Sequence, residues 1–282
     1  IFLPPGFIIT YGSTVAIEQT NIGEQNAVYV KSVDELERKV TLVLAGALGF
    51  PVSSIKPLDR ASFRLTTIRN PYSGLTGTFR LLTFSGSSDA IDQGLHIPGV
   101  SVQRGQLRNV VVTVSDDAAR QISVYTFTMS TTGTVPGNGK FRIQLPFGYY
   151  LFAPTLVGYN GVGKTGVPTL TYDGLTLIIQ LGSPANSTEA IDATDGVSFT
   201  ISGVVNPGAG STKSYTLQST FFDVEKVIDE AIVQTVGIVT GMFPSRSVSI
   251  SENRAGQTNF ITVGVSTTGF IPNNARIRVS LP

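Results

Sequence analysis

Apolar and polar residues alternate with a period of two along most of the chain. Ser198-Phe-Thr-Ile-Ser202, Ser214-Tyr-Thr-Leu-Gln218, Phe260-Ile-Thr-Val-Gly-Val265 and Lys140-Phe-Arg-Ile-Gln-Leu145 each present one apolar and one polar face when extended, the pattern of a half-buried strand. β-Branched and aromatic residues fill these segments, and such side chains pack well on a pleated surface. Between them stand turn formers: Asn206-Pro-Gly208, Pro136-Gly-Asn-Gly139, Asp173-Gly174 and Pro272-Asn-Asn274. Pro presets φ, and Gly or Asn accepts left-handed backbone, so each reads as a reversal. Reversals every 8 to 14 residues predict antiparallel sheets packed as a sandwich. Helical period is nearly absent; Val33 to Lys39 has room for a turn or two at most. The expected fold class is all-β.

The chain also repeats itself. Residues 122–146 set against 258–282, an offset of 136, match at ten of 25 positions, including Ser130-Thr-Thr-Gly133 with Ser266-Thr-Thr-Gly269 and Arg142, Leu145 and Pro146 with Arg278, Leu281 and Pro282. Ala61-Ser-Phe-Arg-Leu and Asn70-Pro71 match Val197-Ser-Phe-Thr-Ile and Asn206-Pro207 at the same offset, and Ile91-Asp92 matches Ile228-Asp229 one residue out of phase. Leu3-Pro4 with Gly6 matches Leu145-Pro146 with Gly148 at an offset of 142. The six extra residues fall before Ala61, with the charged stretch from Asp34 to Lys39 as their expected place. A fixed period of this kind marks a tandem architecture.

Turn-like stretches at Gln103-Arg-Gly105 and Pro244-Ser-Arg246 precede equivalent apolar runs and read as domain starts. Residues 1–102 are then a sandwich lacking its first strands, 103–241 one complete sandwich of roughly eight or nine strands, and 242–282 the opening strands of a further one or donor strands for a neighbouring copy. The size and strand pattern are immunoglobulin-like. An incomplete sandwich exposes an edge and an apolar face, which invites strand addition. Phe260, Ile261, Val263, Val265, Ile277, Val279 and Leu281 are the candidate self-association residues.

Ile271-Pro-Asn-Asn-Ala-Arg-Ile-Arg-Val-Ser-Leu-Pro282, its recurrence from Val135 to Pro146, and Phe199-Thr-Ile-Ser-Gly-Val-Val-Asn-Pro207 resemble the tandem immunoglobulin-like repeats of very large surface proteins from ciliates and other protists. More loosely, the chain is similar to Cys-free sandwich modules of bacterial pili and adhesins. The resemblance implies an extracellular structural array, often glycosylated, and brings no catalytic residue. Many repeats of that family include Cys; this chain has none.

Composition narrows the chemistry. Charged residues make up 14% of the 282 and the net charge is +1, so there is no field for gripping nucleic acid. No apolar run approaches the roughly 20 residues of a helical membrane span. With no Cys and one His, thiolate zinc sites and disulfides are excluded. That lone residue, His96, is a structural or solvent-facing histidine, and no G-x-S-x-G elbow accompanies it.

Gly158-Tyr-Asn-Gly-Val-Gly-Lys-Thr165 fits the phosphate-loop pattern G-x-x-x-x-G-K-[ST]. Such a loop needs a helix after it, so that backbone N–H groups converge on phosphate. Gly166-Val-Pro168 and the alternating Thr169-Leu-Thr-Tyr172 follow instead, so the match is a Gly-rich loop and no cofactor is expected. Asp192 with Asp195, Asp116 with Asp117, and Asp223 with Glu225 read as turn acids; none completes a calcium loop. Asn186 opens the single N-x-[ST] sequon, a glycosylation candidate. Tyr149, Tyr150, Tyr159 and Tyr172 form the one dense aromatic set, which core packing accounts for as readily as an exposed binding patch. The chain therefore reads as a non-enzymatic extracellular or cell-surface structural protein whose expected partners are other copies of itself, with glycans as further candidates. The alternative is an adhesin binding glycan or protein through sandwich loops.

Overall fold

The computed structural model describes residues 1–9, 17–20, 26–34, 36–46, 62–66, 68–85, 88–162, 166–182, 190–210, 213–222 and 226–280. They divide into two units, 1–104 and 105–282. The described residues contain strands and turns and no helix.

The second unit holds an immunoglobulin-like sandwich. Ten strands build it: β11 (Gly105–Gln106), β12 (Arg108–Val114), β13 (Ile122–Ser130), β14 (Lys140–Gln144), β15 (Tyr150–Asn160), β16 (Thr169–Asp173), β17 (Thr176–Gln180), β18 (Gly196–Val205), β19 (Ser214–Thr220) and β20 (Val227–Gln234). One sheet runs β12-β13-β18-β15 and the other β11-β20-β19-β14-β17-β16. All pairings are antiparallel except β11 with β20. The strand count slightly exceeds the eight or nine expected because β11 is a two-residue addition to the sheet edge.

Alternation decides which face is covered. Tyr125, Phe127 and Met129 on β13, and Val197, Phe199 and Ile201 on β18, point inward, to meet Phe141 and Ile143 on β14 and Tyr215 and Leu217 on β19. Burying each of these large side chains contributes about 1.5–3 kcal/mol. Tyr125 and Asn206 satisfy each other's polar groups inside. The Tyr125 hydroxyl donates to Asn206 Oδ1 at 2.6 Å, and Asn206 Nδ2 donates to the carbonyls of Asp116 and Ala118 at 2.8 and 2.7 Å. Asn206, the first residue of a turn former in sequence, thus pins the β12–β13 loop to the core.

After the sandwich come β21 (Arg246–Ile250) and β22 (Ile261–Val265), an antiparallel hairpin. The turn leading out of β22 stays on the sandwich: Phe270 N donates to Arg120 O at 3.1 Å, and the rings of Phe152 and Phe270 lie 6.4 Å apart.

The first unit contains β1 (Ile8–Ile9), β2 (Ile17–Thr20), β3 (Asn26–Asp34), β4 (Lys39–Gly46), β5 (Phe63–Leu65), β6 (Ile68–Arg69), β7 (Gly74–Leu75), β8 (Phe79–Phe84), β9 (Ala90–Ile97) and β10 (Ser101–Val102). Its pairings repeat those of the sandwich. Ile8 opposite Arg69 and Ile9 opposite Ile68 match Tyr150 opposite Val205 and Leu151 opposite Val204. β8 with β9 matches β19 with β20 over four residue pairs, bulge included. The Phe7 and Phe79 rings, 5.5 Å apart, stand where Tyr149 and Tyr215 stand at 5.7 Å. Gly6 and Gly148 share a left-handed φ of 94° and 106°, each with Pro71 or Pro207 where a Cβ would go.

The stretch from Val33 to Lys39 is a hairpin rather than a helical turn. β3 ends at Asp34, whose carboxylate accepts the Glu37 N–H at 2.9 Å, and Arg38 takes a φ of 52° before β4 starts. The left-handed backbone at Arg38 ends the turn, and Leu36, 93% exposed, brings no packing to a helix. The six extra residues are also more dispersed than expected. Four residues stand in this turn where Gly174 and Leu175 suffice in the sandwich, and three further extra positions fall between Ile9 and Ile17.

Candidate association site

The exposed hairpin copies a buried one. Val248 opposite Val263, Ser249 opposite Thr262 and Ile250 opposite Ile261 reproduce Val112 opposite Phe127, Thr113 opposite Thr126 and Val114 opposite Tyr125, each shifted by 136. Burial does not carry over. Tyr125, Phe127 and Met129 are at most 1% exposed, whereas their counterparts Ile261, Val263 and Val265 are 46, 40 and 40% exposed. Phe141 and Ile143 are buried to 1%, and their counterparts Ile277 and Val279 are 68 and 52% exposed. Ile261, Val263 and Val265 alternate onto one face of β22, while Ile277 and Val279 lie in the extended segment beyond it. Phe260 is exposed too, but it precedes β22 and alternates onto the opposite face. Leu281 lies outside the described residues, as does Asn186.

A polar clasp closes the sandwich beside the same strands. Asp229 on β20 is fully buried. Its Oδ1 accepts the Thr132 hydroxyl at 2.6 Å and the Gly133 N–H at 3.0 Å; its Oδ2 accepts the Ser219 hydroxyl at 3.1 Å. Ser219 Oγ in turn accepts the Asp229 N–H at 3.1 Å. Gly105 on β11 must lack a side chain, since a Cβ there would run into the Asp229 carboxylate and the Thr132 hydroxyl. The repeated Ser-Thr-Thr-Gly phrase therefore supplies two donors to one carboxylate. Sequence comparison found both the phrase and the recurring Ile-Asp pair but not their contact, which joins residues 97 positions apart.

Each half of the clasp recurs elsewhere. In the first unit Asp92 N donates to Thr83 Oγ1 at 3.0 Å and the Thr83 hydroxyl donates to Asp92 Oδ2 at 3.2 Å, as in the Ser219–Asp229 pair, yet Asp92 is exposed. After β22, a Cβ on Gly241 would meet Thr268 Oγ1 at 2.5 Å, the distance that separates a Gly105 Cβ from Thr132 Oγ1.

The other candidates fall as follows. Gly158 to Asn160 are inside β15, paired with β18, and β16 begins at Thr169; Gly163, Lys164 and Thr165 lie outside the described residues. His96 is exposed on β9. The Asp116 carboxylate accepts the Ala118 N–H and that of Asp195 accepts the Asp192 N–H, both as turn acids; Asp223 and Glu225 are not described. Core packing accounts for Tyr149 alone. Tyr150, Tyr159 and Tyr172 are 60, 44 and 54% exposed, on strands rather than loops. Tyr125, Tyr149 and Tyr215 form a buried cluster, with the last two hydroxyls 2.6 Å apart. Burial pushes all three phenols above their usual range. Among the described residues no helix is long and apolar enough to cross a membrane.

No family model matches the chain, and no curated protein matches it either. Among solved structures it is similar to the major pilin subunit of Bacillus cereus, at 11% identity and a TM-score of 0.32, covering 92% of this chain and 81% of the pilin. A likeness that distant carries no argument about function.

Proposed function

We propose that the chain is structural rather than catalytic: a stretch of an extracellular or cell-surface filament in which immunoglobulin-like sandwiches follow one another and join through their strands. On this reading 103–241 is a whole sandwich, 242–282 contributes opening strands, and 1–102 accepts strands of that kind. The observation that carries it is the shared register of β21–β22 and β12–β13 combined with their opposite burial. An exposed apolar stripe is unfavourable in water and is relieved by a matching surface. The resemblance to protist surface arrays fits this reading, with the Asn186 sequon as its glycosylation candidate. Electron microscopy of the native material tests it. Filaments with an axial repeat of one or two sandwiches are expected, and isolated monomers at high concentration would refute it.

Exposure of Tyr150, Tyr159 and Tyr172 on adjoining edge strands favours a second reading, an adhesin that stacks glycan on aromatic faces. A glycan array separates the two: binding abolished by Tyr159→Ala with Tyr172→Ala supports the adhesin.

A further inference from the structure

The chain contains Asn-Gly pairs at Asn138-Gly139 and Asn160-Gly161, and the fold treats them oppositely. The second lies in the Gly-rich run from Gly158 to Thr165, a motif that neither functional reading uses. Asn160 is the last residue of β15, opposite Ser198, and both it and Gly161 are exposed. The Gly161 N–H donates to the Asn160 side chain itself, with Oδ1 at 2.8 Å. Cγ carries that oxygen, so the amide nitrogen lies against the carbonyl carbon it can attack. Gly161 takes a left-handed φ of 76°, and the Gly196 carbonyl stands where a Cβ would go. Only glycine fits there, and no side chain of its own shields the nitrogen.

Asn138-Gly139 is held instead. The Gly139 N–H donates to Pro136 O at 2.7 Å, and Gly139 O accepts the Leu181 N–H at 2.9 Å. Gly139 is buried, with Val135, Thr220 O and Pro136 O at 2.7, 2.8 and 2.9 Å from the place of a Cβ. Its nitrogen reaches Asn138 Cγ only by breaking the bond to Pro136 and moving a packed turn.

We propose that Asn160 is a modification site, converted to aspartate or isoaspartate through the Gly161 amide nitrogen, and that the fold protects Asn138. The Gly161 N–H gives its proton to hydroxide, and the nitrogen bonds to Asn160 Cγ. The Cγ–Nδ2 bond breaks and ammonia leaves, taking a proton from water, so that a cyclic imide remains. Water then opens the imide. Cleavage of the new Cγ–N bond leaves aspartate on an unaltered backbone. Cleavage of the original peptide bond leaves isoaspartate, with the main chain running through Cβ and Cγ. Overall, water enters and ammonia departs. β15 is an 11-residue edge strand with no charged residue, and it exposes Tyr150, Phe152, Val157 and Tyr159. Either product puts a carboxylate at the end of that edge, and charge on an edge discourages pairing with another chain. Isoaspartate also lengthens the backbone between the Ser198 pairing and the buried Val162.

The test is incubation of the full chain in mildly alkaline buffer, followed over time by peptide mapping with mass spectrometry. Asn160 should convert about ten-fold faster than Asn138, the factor that a retained hydrogen bond of roughly 1.4 kcal/mol makes in a rate. In urea the protection is lost and the two rates should converge. Equal rates in the folded chain, the same ratio in urea, or no conversion at Asn160 overturns the assignment.

Discussion

Replacing Asp229 by Ala removes one acceptor group and strands three donors. The Thr132 hydroxyl at 2.6 Å, the Gly133 N–H at 3.0 Å and the Ser219 hydroxyl at 3.1 Å all lose their partner, Ser219 in a fully buried position and Thr132 and Gly133 in half-buried ones. A hydrogen bond to a charged acceptor is worth about 1.5–3 kcal/mol net. Removing the buried carboxylate also removes its own desolvation cost, so the sum is not realised. The expected loss is about 3–5 kcal/mol, at the upper end for single substitutions. Asp229→Asn keeps one oxygen for Thr132 and Gly133, and its amide can donate to Ser219 Oγ, so about 1–2 kcal/mol is expected. Urea unfolding of the full chain, followed by near-ultraviolet circular dichroism, reports on this sandwich because Tyr125, Tyr149 and Tyr215 are all in its core and the chain has no Trp. An Ala variant within about 1 kcal/mol of wild type, or one no worse than the Asn variant, would refute the clasp as a stabilising element.

Alkaline pH probes the buried phenols. The unfolded chain releases these protons near pH 10 and the folded chain holds them, so stability is full below about pH 10 and falls above it, by up to about 1.4 kcal/mol per pH unit for each of Tyr125 and Tyr215. Thermal melts from pH 9 to 11 should show this fall flattened by Tyr215→Phe, and an unchanged slope would contradict it. Because Phe7 and Phe79 stand as the natural version of the Tyr149–Tyr215 pair, Tyr149→Phe with Tyr215→Phe together should cost less than the two single changes added, in a double-mutant cycle. Residues 1–102 alone should be aggregated or unfolded, with a 242–282 peptide restoring a cooperative transition; a fragment that melts cooperatively by itself would count against the proposed boundary.

Strand existence was legible because alternation is a local signal: β13, β18 and β19 each write one buried face into consecutive residues. Which strands pair was not. β15 follows β14 in the chain yet joins β18 in the opposite sheet, a choice made by packing between distant residues. The repeat was legible where it preserved residue types, as in Ser-Thr-Thr-Gly, and hid where it preserved only shape, as when Tyr125 became Ile261. Asp229 reads as a polar residue on a strand; only the arrival of Thr132 and Gly133 makes it a core acceptor. The hairpin at Asp34 to Lys39 was missed because charged residues without apolar spacing carry no period to distinguish turn from helix.

The parallel pairing of β11 with β20 has a mechanical consequence. The chain enters the sandwich at β11, and the last strand of the sandwich is β20. The two run side by side through Gly105 opposite Asp229 and Gln106 opposite Glu230; beyond β20, Val239 still pairs in parallel with Ala118. Tension on the two ends pulls these parallel strands in opposite directions along their common axis. Their hydrogen bonds are then sheared together instead of being unzipped one at a time, and the Thr132–Asp229 clasp lies directly beside them. Resistance to pulling depends on the barrier to that first slip rather than on equilibrium stability. A sandwich pulled along this axis resists best when a polar lock sits beside the sheared strands, and Asp229 is placed there.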